Sequence, residues 1–256
     1  AEMLRVLEGR GFPTSEVIPL ASAASAGRRV PFRGAELEVR DLATFDFRST
    51  DLLLLSTGAA NARETAPRAA AAGCVVIDNS SAFRMEPDMP LIVPEVNLEA
   101  LAGWATRRIL PVANCSTIQL VVALKPLHDA AGLRRVIVST YQSASGGGRR
   151  LMERLLSPYD PVTVDLRGLQ REARTALEHG GEKPLPFNVV PHIDVFPEDG
   201  RTKEEWKMEA ETRKILNLPE LPVSATCVRV PVLVGHAEAV TVELERPLPA
   251  EAAREL

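Results

Sequence analysis

Cysteine is scarce in this sequence. Only Cys74, Cys115 and Cys227 occur among 256 residues, far apart and outside any CxxC or Cys/His cluster. Three scattered thiols cannot build a disulfide framework, and the missing clusters give no metal site to expect. Such usage suits a reducing compartment, and a cytoplasmic location is the expectation. Long apolar runs are also lacking: Leu52 to Leu55 and Leu120 to Leu124 are too short to cross a bilayer. No secretory signal opens the sequence. Nor is there an excess of either charge. Thirty Lys and Arg stand against 34 Asp and Glu, a net charge of −4, which gives no reason to expect nucleic acid or an anionic membrane as partner.

What is present is the composition of a globular chain long enough for a large core, in one domain or two. The opening stretch AEMLRVLEGRGF reads as mid-helix, so the sequence is expected to start late; Gly11 and Pro13 supply the helix stop. A short strand is expected at Val17 to Ala21. Leu52 to Leu55 is an apolar run followed by Ser56, Thr57 and Gly58, as in a parallel strand buried on both faces. An alanine-rich helix from Asn61 to Ala72 and a strand from Cys74 to Asp78 follow. This alternation predicts an open α/β sheet, whose ligands gather beyond the carboxyl ends of the strands. A second pattern begins near Asn114: helix Ser116 to Leu127, strand Val136 to Thr140, a glycine-rich turn at Ser145 to Gly148, helix Trp206 to Leu216, and strands Ala225 to Val234 and Ala239 to Leu244. Residues 157–186, with an amphipathic piece around Gly168 to His179, read as a surface insertion. The best domain cut lies near residue 113.

Cys115 follows Asn114 directly before an apolar helix. Orphan backbone N–H groups and the positive dipole end there favour thiolate over thiol. A buried structural cysteine fits the same motif equally well. Cys74 and Cys227 lie within strands and read as small core residues. His236 follows Gly235, seven residues beyond Arg229; an imidazole there can exchange protons and a guanidinium can hold a carboxylate. His128, His179 and His192 read as structural. Glu204 and Lys207 share a helix face, and spacing alone favours an exposed ion pair over an inward grip on a zwitterionic, phosphorylated substrate. The Ser145 to Gly148 loop could cradle a cofactor, though it lacks a Walker or dinucleotide signature. Arg84 either binds phosphate or covers the surface.

Taken together, VVIDNSSAFRM (75–85), VPEVN (93–97), NCSTIQLVVALKPLHDAAG (114–132), VSTYQSASGGG (138–148), FNVVPHIDVF (187–196), TKEEWKMEAETRKIL (202–216) and SATCVRVPVLVGHAEAV (224–240) resemble bacterial aspartate-semialdehyde dehydrogenases. The resemblance implies an α/β fold, with a Rossmann-like NADP-binding domain at 1–113 and an α+β catalytic and dimerisation domain at 114–256. It implies NADP-dependent, reversible reductive dephosphorylation of L-aspartyl 4-phosphate to aspartate semialdehyde, on the route to lysine, methionine and threonine. Cys115 would be the nucleophile forming a thioester, His236 the acid/base, and Gln142 the residue positioning substrate near the sulfur. Arg229 would clamp the α-carboxylate and Glu204 the ammonium. Arg84, Asn114 and Lys207 would hold the phosphate. Ser145, Gly146, Thr57, Gly58 and Ser25 would line the cofactor, and the implied partner is a second copy in a homodimer.

The sequence departs from the family at several points. The opening strand with its GATGAVG-like loop and the closing C-terminal segment are expected to be absent; Ala24 stands where arginine is frequent; Val112 and Ala113 replace the usual Asn and Pro. Two alternatives stay open: N-acetylglutamyl phosphate reductase, which Arg229 with Glu204 disfavours because they suit a free amino acid, and a truncated non-catalytic paralogue that only dimerises.

Overall fold

The structure, a computed structural model, describes residues 2–156, 167, 168, 171, 174, 175, 178 and 184–256. Helix α1 (Glu2–Gly9) ends as anticipated, with Gly11 in the left-handed region. Strand β1 is only Leu20–Ala21, shorter than expected, and pairs in parallel with β4 (Arg40–Asp41). Between them β2 (Arg29–Phe32) and β3 (Ala35–Glu38) form an antiparallel hairpin. Its turn residues Arg33 and Gly34 both take positive φ, the hairpin geometry for which Asn-Gly is the usual signal; Arg-Gly hid it.

Strands β5 (Leu52–Leu55), β6 (Val75–Asp78) and β7 (Ile109–Pro111) form a parallel sheet in that order. Helix α2 (Ala59–Ala71) crosses over it and buries Ala62, Ala66 and Ala69 completely. Alanine at that spacing lets the helix lie close on Leu53, Leu55, Val76 and Ile109, which share its core with Phe47 and Phe83. β1 and β4 are not hydrogen-bonded to β5–β7; Leu20 of β1, with Leu42 and Phe45 beyond β4, packs against the core of that sheet.

The short helix α3 (Pro94–Asn97) precedes β7. Beyond it come α4 (Cys115–Ala131), β8 (Leu133–Gln142), α5 (Arg149–Leu156), α6 (Lys203–Leu216), β9 (Val223–Arg229), β10 (Ala237–Leu244) and α7 (Ala250–Arg254). Strand β8 is central, parallel to β9 and antiparallel to β10. Its inward side chains Leu133, Val136 and Val138 pack with Leu120, Val121 and Leu124 of α4 and Met208 and Ile215 of α6. The strand expected at Ala225 to Val234 stops at Arg229 instead. After it Val230 N–H still bonds the Gln142 carbonyl, but the chain turns and Val232 to Val234 are exposed. The expected insertion at 157–186, with its amphipathic piece, falls almost wholly outside the described residues. Among the described residues no helix is long and apolar enough to cross a membrane.

Candidate active site

Strand pairing brings the site together. Gln142 at the end of β8 is in parallel register with Arg229 at the end of β9, and Tyr141 pairs with Ala237, the first residue of antiparallel β10. Gln142, Arg229 and His236 therefore share one edge of the sheet, although 94 residues separate the first from the last. Helix α4 delivers Cys115 to the same place. Asn114 is its N-cap, its side-chain oxygen accepting from Ser116 N–H at 2.9 Å and Thr117 N–H at 3.4 Å, so the local sequence starts the helix at Cys115.

Carboxylates organise the surrounding polar groups. Glu204 Oε1 accepts from Asn114 Nδ2 at 3.0 Å and Gln142 Nε2 at 3.1 Å; its Oε2 accepts from Lys207 Nζ at 3.1 Å. Gln142 Nε2 also donates to Ser116 Oγ at 2.5 Å. Lys207 donates further to Asp194 at 2.7 Å. Glu211, two turns further along the same face of α6, accepts from Asn114 N–H at 2.6 Å and from Arg84 Nη1 at 3.1 Å. Arg84 Nη2 donates to the Asn79 carbonyl, while its buried Nε has no partner. The exposed ion pair expected of Glu204 and Lys207 is thus overturned: Glu204 is 7% exposed and the pair points inward. Arg84, also 7% exposed, does not cover the surface.

Burial pushes the Glu204 carboxyl up, yet the Lys207 charge and the bonds from Asn114 and Gln142 outweigh it and hold the group below the ordinary carboxylate value. That negative charge has a cost at Cys115. Burial, then Glu204, push the thiol above its ordinary value against the pull of Ser116 N–H and its hydroxyl. The thiolate expected from the helix terminus alone is therefore not favoured in the free protein, because desolvation of the sulfur, with the Glu204 charge added, outweighs the helix-terminal N–H groups. Burial also pushes Cys74 to about 11 and Cys227 to about 12, in keeping with two fully buried core cysteines, the second against Met208 sulfur at 3.5 Å. His128 caps its own helix end by accepting from Leu133 N–H, and His192 packs on Phe196.

The glycine-rich loop lies beside these groups. Arg229 Nη1 donates to the Ser143 carbonyl at 2.7 Å, and a Cβ on Gly146 would sit 3.1 Å from that nitrogen and 3.2 Å from His236 Nε2. Thr57, Gly58 and Ser25 stand apart: among the described residues no hydrogen bond ties them to this network. Gly58 caps α2 with φ 81° and open space where a Cβ would be, and Thr57 Oγ1 is buried without a partner. A helix N-terminus, a bare backbone and an orphan hydroxyl at the carboxyl end of a parallel strand suit a phosphate-bearing cofactor.

Family models match nearly the whole chain: "Semialdehyde dehydrogenase, NAD binding domain" over residues 1–104 and "Semialdehyde dehydrogenase, dimerisation domain" over 124–256. The aspartate-semialdehyde dehydrogenase of Legionella pneumophila is 48% identical over 253 residues, 99% of this chain and 71% of that protein. The chain belongs to the aspartate-semialdehyde dehydrogenase family. The crystal structure of aspartate semialdehyde dehydrogenase II from Vibrio cholerae superposes with TM-score 0.88 at 43% identity, covering 99% of this chain and 73% of that one; a second structure of that enzyme is complexed with ASA. The Candida albicans enzyme with NADP superposes with TM-score 0.70 at 25% identity, over 98% and 70% of the two chains. The architecture is accordingly the α/β one expected, a Rossmann-like NAD(P)-binding unit followed by a dimerisation unit, and the protein is a dehydrogenase.

Glu211, Asp194 and Ser143 were not among the candidate groups expected from the sequence. A signal for Glu211 existed: Glu204, Met208, Glu211 and Ile215 follow the 4-3-4 spacing of one helix face, and two acids inside an apolar stripe mark buried carboxylates. Asp194 and Ser143 carried no such pattern. Gly146→Ala is expected to lower kcat/KM about 10- to 100-fold, because the added methyl must displace Arg229 or His236; steady-state kinetics with an unchanged melting temperature would check it.

Proposed function

We propose that this chain catalyses the reversible NADP-dependent reductive dephosphorylation of L-aspartyl 4-phosphate to L-aspartate 4-semialdehyde, through a thioester on Cys115. What carries the proposal is the meeting of Cys115, Gln142, Glu204, Arg229 and His236 at one sheet edge, with Glu204 bonded to both Asn114 and Gln142. Sγ of Cys115 forms a bond to the acyl carbon as the bond from that carbon to the phosphate oxygen breaks. Arg84, Asn114 and Lys207 hold the departing phosphate, and the unpartnered Nε of Arg84 is a donor suited to such an anion. Arg229 clamps the α-carboxylate and Glu204 the α-ammonium, while Gln142 sets the substrate beside the sulfur. An ammonium docked on Glu204 offsets the smaller of the two influences that raise the Cys115 thiol, burial being the larger. His236 exchanges the proton of the tetrahedral adduct.

Thr57, Gly58, Ser25, Ser145 and Gly146 are assigned to hold NADP, which supplies or accepts the hydride when bound. The division of labour is placed near residue 113, with 1–113 for the cofactor and 114–256 for catalysis and dimerisation. A homodimer is supported by Ile137, Tyr141 and Val240, each 40% exposed or more on β8 and β10. The product serves the biosynthesis of lysine, methionine and threonine.

The test supplies aspartate semialdehyde with NADP and follows reduction of the nicotinamide with and without inorganic phosphate. Phosphate-dependent reduction is expected. Turnover of an N-acetylglutamate semialdehyde instead would overturn the substrate assignment, and equal use of NAD would overturn the preference for NADP.

A further inference from the structure

The peptide of Ser143 holds two groups of the site at once. Its carbonyl accepts from Arg229, and its N–H donates to Nδ1 of His236 at 3.0 Å. The Ser143 hydroxyl lies 3.0 Å from the same Nδ1 and 2.9 Å from the Ser145 hydroxyl. Ser143 has no exposed surface at all, so water does not compete for these bonds.

A backbone N–H can only donate. The ring nitrogen facing it must offer a lone pair, and a neutral imidazole has one nitrogen of each kind. The neutral ring of His236 therefore carries its proton on Nε2, the atom on the Gly146 side. Charging the ring adds a proton at Nδ1, where the amide cannot accept it. The acceptor within reach is Ser143 Oγ, whose own hydrogen can then turn to Ser145 Oγ.

We propose that Ser143 is the positioning residue of His236: its amide selects the Nε2–H tautomer of the neutral ring, and its hydroxyl receives Nδ1–H whenever the ring is protonated. This rests on the acid/base assignment of His236 above. The charged groups facing the ring are Arg229 from β9, which disfavours the imidazolium, and Glu204 from α6, which favours it; the loop between β8 and α5 contributes only the hydroxyls of Ser143 and Ser145. With Arg229 so near, losing the one neutral acceptor leaves the charged ring poorly held. The serine hydroxyl is then what favours the protonated ring against burial and the Arg229 charge, which both push its pKa down.

The experiment uses the whole chain labelled with ¹⁵N-histidine, with His236→Asn assigning the resonances. The ring nitrogens of His236 above its pKa are expected to show protonated Nε2 and unprotonated Nδ1. In Ser143→Ala the His236 pKa is expected to fall by about one unit, the size of a hydrogen bond to a charged group. The pH limit of kcat set by His236 should move down equally, with KM unchanged. A neutral Nδ1–H tautomer in the parent chain, or an unaltered pKa in a folded Ser143→Ala, would overturn the proposal. The tautomer is read without substrate or variant folding, so it stands or falls independently of whether aspartate semialdehyde is turned over.

Discussion

Cys115→Ala is expected to lose phosphate-dependent oxidation of aspartate semialdehyde by at least about a thousandfold, the scale on which removal of a covalent nucleophile is felt. Cys115 keeps part of its surface open to solvent although its sulfur is largely desolvated, and it sits at the first position of α4, where alanine is well tolerated, so thermal stability should change within about 0.5 kcal/mol. Substrate binding should persist, because Arg229 and Glu204 are untouched; calorimetric titration with the semialdehyde separates binding from chemistry. Cys74→Ala and Cys227→Ala should keep turnover, since both thiols are core groups whose proton is held far above neutrality. Full activity in Cys115→Ala would end the nucleophile assignment.

Glu211→Ala is expected to be the most destabilising single change at the site. Glu211 is 1% exposed and joins Arg84, on the loop after β6, to the N–H of Asn114 that starts α4. Removing it strands a buried guanidinium and a buried amide donor. Breaking such a pair costs about 3–5 kcal/mol, which for a chain of this size lowers the melting temperature by about 10 °C. Replacing both partners, Arg84→Met with Glu211→Leu, should recover most of that stability, because neither charge remains unpaired. Activity should stay lost in the double variant, since the cation proposed to bind phosphate and the support of Asn114 are both gone. A calorimetric melt and a kinetic assay on the two variants check the two halves. Recovery of activity along with stability would show that Glu211 serves the fold alone.

These outcomes turn on pairings of very different sequence separation. Asn114 before Cys115 announces a helix cap to anyone reading the chain, and the structure places the α4 N-terminus there. The apolar runs of β5 and β6 and the alanines of α2 likewise reveal a buried parallel unit. The bounds were less legible: β9 stops at Arg229 although apolar residues continue to Val234. Hydrophobicity says that a segment is apolar; only the partner strand says where pairing ends. The hairpin at Arg29 to Glu38 went unread because Arg-Gly is a poor advertisement of its turn.

By itself, then, the sequence determined the main helices and buried strands, the family and most of the candidate groups, because caps, periodicity and motif order are local properties of the chain. Tertiary structure decided their electrostatic state. Arg84 meets Glu211 across 127 residues and Asn114 meets Glu204 across 90, and those contacts turned an expected surface pair inward and set a carboxylate against the thiol. Charge interactions depend on distance and burial, which exist only once β8, β9 and β10 align and α4 and α6 close over them.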